Sequence, residues 1–206
     1  HLLQLRALDW DTEGPFRDYH LITVYHPTED SEFNTFANLG FVGWIASITG
    51  MSQSGLSVSE IGVSMPDASF GKKRYLAPGY PFGFLIRDIL QSDRSLDDSI
   101  NRIVNAKRTC DLLLGVGDGN ANAFRGFQYA SDVANVYDDE NLEPVEDWHP
   151  RIDDVVYWGM DWVCPVDNQF LHDQLVKYHG NISAEITIRN MLSYVGTGDL
   201  HIAIYD

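Results

Sequence analysis

The opening stretch HLLQLRALDWDTEGPF places Arg6, Asp9 and Asp11 in and just after a segment whose other residues read as a buried strand. Burying such a charge is expensive unless it is paired or hydrogen-bonded. On a strand, Arg6 and Leu8 point to one face, and Asp9 and Asp11 to the other. Two readings follow. In one, Arg6 makes a structural ion pair, while Asp9 and Asp11 end the strand and cap a turn. In the other, the charges are the perturbed groups of a functional site.

Other chemistries find less support. The seven histidines show no His-x-x-x-His spacing, and no Cys-x-x-Cys occurs, so no metal site is expected. His172 and His179 share a helix face only as any residues seven apart do. No Gly-x-Ser-x-Gly elbow is present. The glycines of GVGDGNANAFRGF lie between strands rather than before a helix, which reads as a hairpin turn and not a dinucleotide loop. Cys110, in RTCDLLLGV, has no evident activating neighbour, and a buried thiol without one is inert. Cys110 and Cys164 are read as unpaired core thiols.

Fourteen basic residues stand against 30 acidic ones, for a net charge of −16. Phosphate backbones and anionic membranes would be repelled, so no nucleic acid is expected as a partner. No apolar run approaches the ~20 residues that span a bilayer, and no signal peptide is evident. A hydrophobic content of 44% in 206 residues suffices for one sizeable core. A chain that opens on His1 and closes on the strand DLHIAIYD, with no evident pairing partner, is expected to be cut at both ends.

The elements that must position these residues come in blocks. HLLQLRALDW, YHLITVYHP and FVGWIASITGM read as strands, the last joined to GLSVSEIGVS through SQSG, with Gly55 supplying a positive φ. PFGFLIRDILQS and SLDDSINRIVNA read as helices. Ser95 caps the second, whose stripe Leu96, Ile100, Ile103 and Val104 packs on a sheet. TCDLLLGVGD, AFRGFQYA, SDVANVYD and DDVVYWGMDW return to strand, with an acidic solvated loop from Asp138 to Asp147. Helices open at Asn168 and at Ser183, and Leu200–Tyr205 closes the chain as a strand. Paired helices between blocks of antiparallel strand give an α+β fold, expected as a four-layer αββα sandwich.

LRALDWD resembles the Arg-x-x-Asp-Trp signature of the cysteine N-terminal-nucleophile hydrolases, the group of acid ceramidase, penicillin V acylase, bile salt hydrolase and penicillin acyltransferase. GMSQSGLSVSEIGV is similar to their Gly-Met-(Asn/Ser)-x-x-Gly-Leu hairpin. FGFLIRDILQ, LDDSINRIVNAKRTCDLLLGVGDG and HPRIDDVVYWGMDW look like a little-characterised protist branch of the group. The likeness runs over nearly the whole chain. It implies one domain, residues 1–206, lacking the nucleophile strand and C-terminal strands.

The activity implied is cleavage or transfer of an amide acyl group by a cysteine that self-cleavage makes the first residue. Its own α-amine, with a pKa near about 8, serves as base. By the resemblance Asp9 orients that amine, Arg6 favours the thiolate, and Arg189 matches a late arginine of the group. The nucleophile is expected upstream of His1, roughly a hairpin's length away. Gly62 stands where relatives place an oxyanion-hole asparagine, with Glu60 and Ser64 nearby.

Substrate-binding candidates are Phe16, Trp44, Glu60 and Trp158, with Phe41 and Trp162 as further aromatics for an apolar acyl pocket. The expected partner is a small N-acyl substrate or lipid amide, and no cofactor is implied. The alternative is a catalytically silent relative whose open sheet edge takes a partner chain. The sequon Asn181-Ile182-Ser183 points weakly to a glycoprotein of the lysosomal or secretory route, with a cytoplasmic location left open.

Overall fold

The computed structural model describes residues 1–64, 78–142, 150–157 and 165–206, the stretch 165–168 by its backbone alone. Among these residues two antiparallel sheets carry the fold. The larger has seven strands in chain order: β2 (His20–Tyr25), β3 (Phe36–Phe41), β4 (Thr49–Ser52), β5 (Leu56–Gly62), β6 (Leu112–Asp118), β7 (Ala123–Tyr129) and β8 (Ala134–Tyr137). The smaller pairs β1 (Gln4–Leu8) with β9 (His201–Tyr205), the two ends of the chain.

Alternation along β5 and β6 sets the layers. Leu56 and Val58 lie opposite Asp118 and Val116, and Gly62 lies opposite Leu112. With Leu114, Phe127 and Tyr129 the apolar members of this face form the main core. Helices α1 (Phe82–Ser92) and α2 (Leu96–Asn105) cover it. The α1 residues Ile86, Ile89 and Leu90 are fully buried, each contributing about 1.5–3 kcal/mol of transfer free energy. The start of α2 is fixed twice. Ser95 Oγ accepts from the Asp98 N–H at 3.2 Å, and Asp118 accepts from the Leu96 N–H at 3.1 Å.

The opposite face is built for close approach. Ser57 and Ser59 lie opposite Gly117 and Gly115, so no large side chain keeps β1 away. Gln4 bridges the gap, donating to Ser59 Oγ at 2.9 Å and accepting from Ser57 Oγ at 2.6 Å. The order of layers is therefore helices, seven-stranded sheet, two-stranded sheet. Helices α3 (Pro165–Tyr178), α4 (Ala184–Ile186) and α5 (Ser193–Val195), with a π-helical stretch Thr187–Leu192 joining the last two, pack around a cluster of their own. That cluster holds Ile152, Tyr157, Leu175 and Met191. The α+β class stands, and a full four-layer sandwich is not established by the described residues.

Several expectations need correction. The final strand does have a partner: β9 pairs with β1 over five positions, from Gln4–Tyr205 to Leu8–His201. A period-two pattern shows that a strand exists but not what it pairs with. Phe41 to Met51 is not one strand, because Gly43 at φ +82° turns the chain after β3 and extended structure resumes only at Thr49. The strand Phe36–Phe41 was not foreseen. Val104 is 40% exposed and lies outside the stripe that Leu96 and Ile103 bury. Helix α3 begins at Pro165 and not at Asn168. Of DDVVYWGMDW, the described part holds an isolated bridge from Ile152 to Val155. Trp158, Trp162 and Cys164 lie outside the described residues. Gly55 at φ +85°, the turn between β6 and β7, and the Ser183 cap on the Ile186 N–H at 3.3 Å are as expected.

Candidate active site

Strand alternation turns Gln4, Arg6 and Leu8 of β1, with Tyr205, Ala203 and His201 of β9, to one face of the small sheet. Gln4 shows that this is the face laid against β5 and β6. Arg6 sits in its middle, only 3% exposed. Its Nη2 donates to the Glu60 backbone carbonyl at 2.8 Å and to Glu60 Oε1 at 3.3 Å. Burial pulls the Arg6 pKa down, and Glu60 opposes that shift. Burial pushes the Glu60 carboxyl up, and Arg6 opposes it in turn. Each charge makes the other tolerable, since an unpaired ion in such a site costs several kcal/mol.

The pair does not use up the guanidinium. A guanidinium carries five N–H groups in a fixed fork, and Nε and Nη1 of Arg6 are buried with no hydrogen-bond partner among the described residues. These donors suit an oxygen or thiolate acceptor held beside Glu60.

His201 is the diagonal neighbour of Arg6 on the same face, since Arg6 lies opposite Ala203 and Leu8 opposite His201. Its Nε2 is 3.0 Å from the hydroxyl of Thr49, which is itself 0% exposed, and its Nδ1 is buried without a partner among the described residues. Burial first, then Arg6 and His20, push the imidazole down to about 4, so it is neutral at pH 7. Tyr205 completes the row, donating its hydroxyl to the Val58 carbonyl at 3.0 Å, with its phenol pushed up by burial. On the other side of His201 lies a mostly apolar cluster. Phe41, Ile48 and Leu200 are buried there, with Leu8, Phe16, Trp44 and Phe82 packed against them. Phe16 and Phe41 have ring centroids 4.8 Å apart, and Phe41 and His201 6.2 Å.

The structure thus brings Arg6 and Glu60 together, with Phe16 and Trp44 in the adjoining cluster. Asp9 is exposed and its carboxylate is taken up by a turn, accepting from Thr197 Oγ1, the Gly198 N–H and the Asp199 N–H. Asp11 Oδ1 accepts from the Glu13 N–H at 2.8 Å. The ion-pair and turn-cap reading of these charges therefore describes their contacts. Arg189 is not brought to Arg6 by any described contact: its side chain is 75% exposed and pairs with Glu185 at 3.1 Å, one helical turn away. Asn181 is exposed in the turn after α3. The Cys110 thiol is pushed up by burial, the opposite of activation.

His201, Thr49 and Gln4 escaped the sequence reading. One signal was present for His201: in HIAIY the polar-tipped residues His201 and Tyr205 fall on one face by period two.

Two open hollows, of about 540 and 480 Å³, are lined by Asp139, Glu140, Arg151 and Asp153 and by loop residues around Arg94, and neither includes Arg6 or His201. Among the described residues no group of three or more His, Cys, Asp or Glu is placed to hold a metal. No described helix is long and apolar enough to cross a membrane.

The sequence matches no protein-family model. It is 36% identical over 215 residues to protein dcd1A of Dictyostelium discoideum and 36% identical over 209 residues to protein dcd1B of the same organism, in both cases along the whole chain. The chain spans 47% and 40% of those two proteins, less than half of either. Among solved structures, a variant of conjugated bile acid hydrolase from Clostridium perfringens superposes with a TM-score of 0.50 at 15% identity. The match covers 79% of this chain and 63% of that one. This chain shares its fold with that hydrolase. A Caenorhabditis elegans ortholog of N-acylethanolamine-hydrolyzing acid amidase reaches 0.48 at 16% identity over 66% of this chain and 58% of its own. Penicillin V acylase from Agrobacterium tumefaciens reaches 0.46 at 13% identity over 94% and 59%.

Proposed function

We propose that the protein to which this chain belongs is an amidohydrolase, cleaving or transferring the acyl group of an N-acylated small molecule or lipid. The observation that carries this reading is Arg6. It is a buried guanidinium with two nitrogens unpartnered among the described residues, on the inner face of the small sheet of a fold shared with an amide hydrolase.

In this reading the nucleophile is an N-terminal cysteine on a strand beside β1, upstream of His1. The unpartnered face of Arg6 favours its thiolate, and the thiolate attacks the acyl carbon. The cluster of Phe16, Phe41 and Trp44 receives the acyl chain. Asp9 shapes the site by fixing the turn at Thr197–Asp199 that leads into β9. Arg189 is left a surface role by its pairing with Glu185. The exposed sequon at Asn181 favours a glycosylated protein of the lysosomal or secretory route, checked by a mobility shift after removal of N-glycans.

The decisive test is N-terminal peptide mass spectrometry of the native polypeptide, followed by iodoacetamide labelling. A mature chain that opens on cysteine, is labelled there and loses amide hydrolysis on labelling supports the reading. A native N-terminus without cysteine refutes it.

A second reading, a silent homologue that serves in an assembly, is favoured by β2. This edge strand exposes Ile22 (66%) and Val24 to solvent, the form of edge that another chain can pair with. It predicts a stoichiometric complex and no acyl turnover.

A further inference from the structure

We propose that His201 is a substrate-binding residue of the Arg6 site, its Nδ1 hydrogen-bonding an uncharged amide or hydroxyl group of a ligand whose carbonyl oxygen faces Arg6. The inference rests on the amidohydrolase reading and names the polar group that the site takes. Three observations carry it. First, Arg6 and His201 are diagonal neighbours on the inner face of the β1–β9 pair, a spacing at which long side chains interact. Each also keeps buried polar atoms without a partner among the described residues: Nε and Nη1 of one, Nδ1 of the other. Buried polar atoms are otherwise almost always paired, so three on adjoining side chains mark a place where a ligand completes the bonding.

Second, the ring is held. Thr49 Oγ1 fixes Nε2 at 3.0 Å, and the rings of Phe41 and His20 lie beside it with centroids 6.2 and 6.0 Å away. The imidazole is therefore oriented before any ligand arrives, which lowers the entropy that binding must supply.

Third, the two side chains ask for different things. The free N–H groups of Arg6 take only acceptors. A neutral imidazole offers at Nδ1 either a donor or an acceptor, according to its tautomer, and an amide or hydroxyl meets both cases. Burial and the adjacent Arg6 keep the ring neutral, so a carboxylate is met at Nδ1 by one tautomer only and by no charge, whereas an amide or hydroxyl is met by both. The mostly apolar cluster of Phe16, Phe41, Leu200 and Trp44 adjoins His201, and there a fatty-acyl tail loses water. A primary fatty amide carries all three groups, a carbonyl oxygen, an N–H and an apolar tail, on one carbon.

The test uses the full-length protein with octanamide and octanoate as probes. Calorimetric titration gives the affinities, and the ¹⁵N resonances of the His201 ring report contact. Octanamide is expected to bind, to shift the Nδ1 resonance more than the Nε2 resonance, and to bind roughly three- to tenfold more weakly to His201→Phe, the loss of one neutral hydrogen bond. His201→Gln, which keeps an amide in its place, is expected to retain affinity within about twofold, and guards against a misfolded Phe variant. Equal binding of octanamide by wild type and by a folded His201→Phe overturns the role of His201 and leaves the amidohydrolase reading standing. Octanoate bound in preference to octanamide also overturns it, as an anion site made by Arg6 alone. No binding of either probe by the wild type overturns the underlying reading and this inference with it.

Discussion

Replacing His201 by glutamine is expected to change how stability depends on pH. In the unfolded chain the imidazole titrates near about 6.5, while in the folded protein burial, Arg6 and His20 hold it at about 4. Between those values the unfolded chain binds a proton that the folded one refuses, so acidification favours unfolding. The contribution of His201 is intact above the unfolded value and is lost as pH falls toward 4. From these two values the loss from pH 7.5 to pH 5 comes to about 2 kcal/mol.

Glu60 and Asp93, whose carboxyls are raised by burial, act in the opposite direction and are common to both proteins. The quantity to read is therefore the difference between wild type and His201→Gln. Urea denaturation of both, at pH 7.5, 6.5, 5.5 and 5.0, supplies it. Wild type should lose about 2 kcal/mol relative to the variant across this range, while a packing loss in the variant would add only a constant. Parallel curves, agreeing within about 0.5 kcal/mol at every pH, would refute the claim that His201 is buried neutral.

Three further outcomes are expected. Arg6→Met strands the Glu60 carboxylate and should cost about 3–5 kcal/mol in urea denaturation, whereas Arg6→Met with Glu60→Leu should recover much of that loss, and a double variant as unstable as the single would deny the coupling. Ser95→Ala removes the cap on the Asp98 N–H and should lower stability by about 1 kcal/mol, and Ser95→Gly by only a few tenths. In Gly117→Ala the new Cβ would stand 2.5 Å from Gln4 Oε1 and 2.8 Å from both Leu2 Cδ2 and Ser57 Oγ. That should cost about 1–3 kcal/mol and speed amide exchange in β1 and β9, with β6 and β7 less affected, as checked by hydrogen exchange.

Much of the fold follows from local chemistry and was legible in the residues. Ser95 with Asp98 starts α2, Gly55 makes the turn between β4 and β5, and the apolar spacing of FGFLIRDIL makes one buried face of α1. These signals survive because capping, turn geometry and period are properties of a few neighbouring residues. Arg6 was legible as a charge in a strand that needed a partner, since the cost of burial applies whatever the fold.

Only the tertiary structure decided what the partners were. Arg6 meets Glu60 across 54 positions of sequence. Asp9 holds Gly198 and Asp199, and His201 meets Thr49, because β1 and β9 pair although they lie at opposite ends of the chain. No short-range pattern encodes that pairing. The sequence determined which groups could not be left alone in the interior. The closing of one chain end against the other decided which of them share a site, and left Arg6 and His201 side by side with nitrogens still to be bonded.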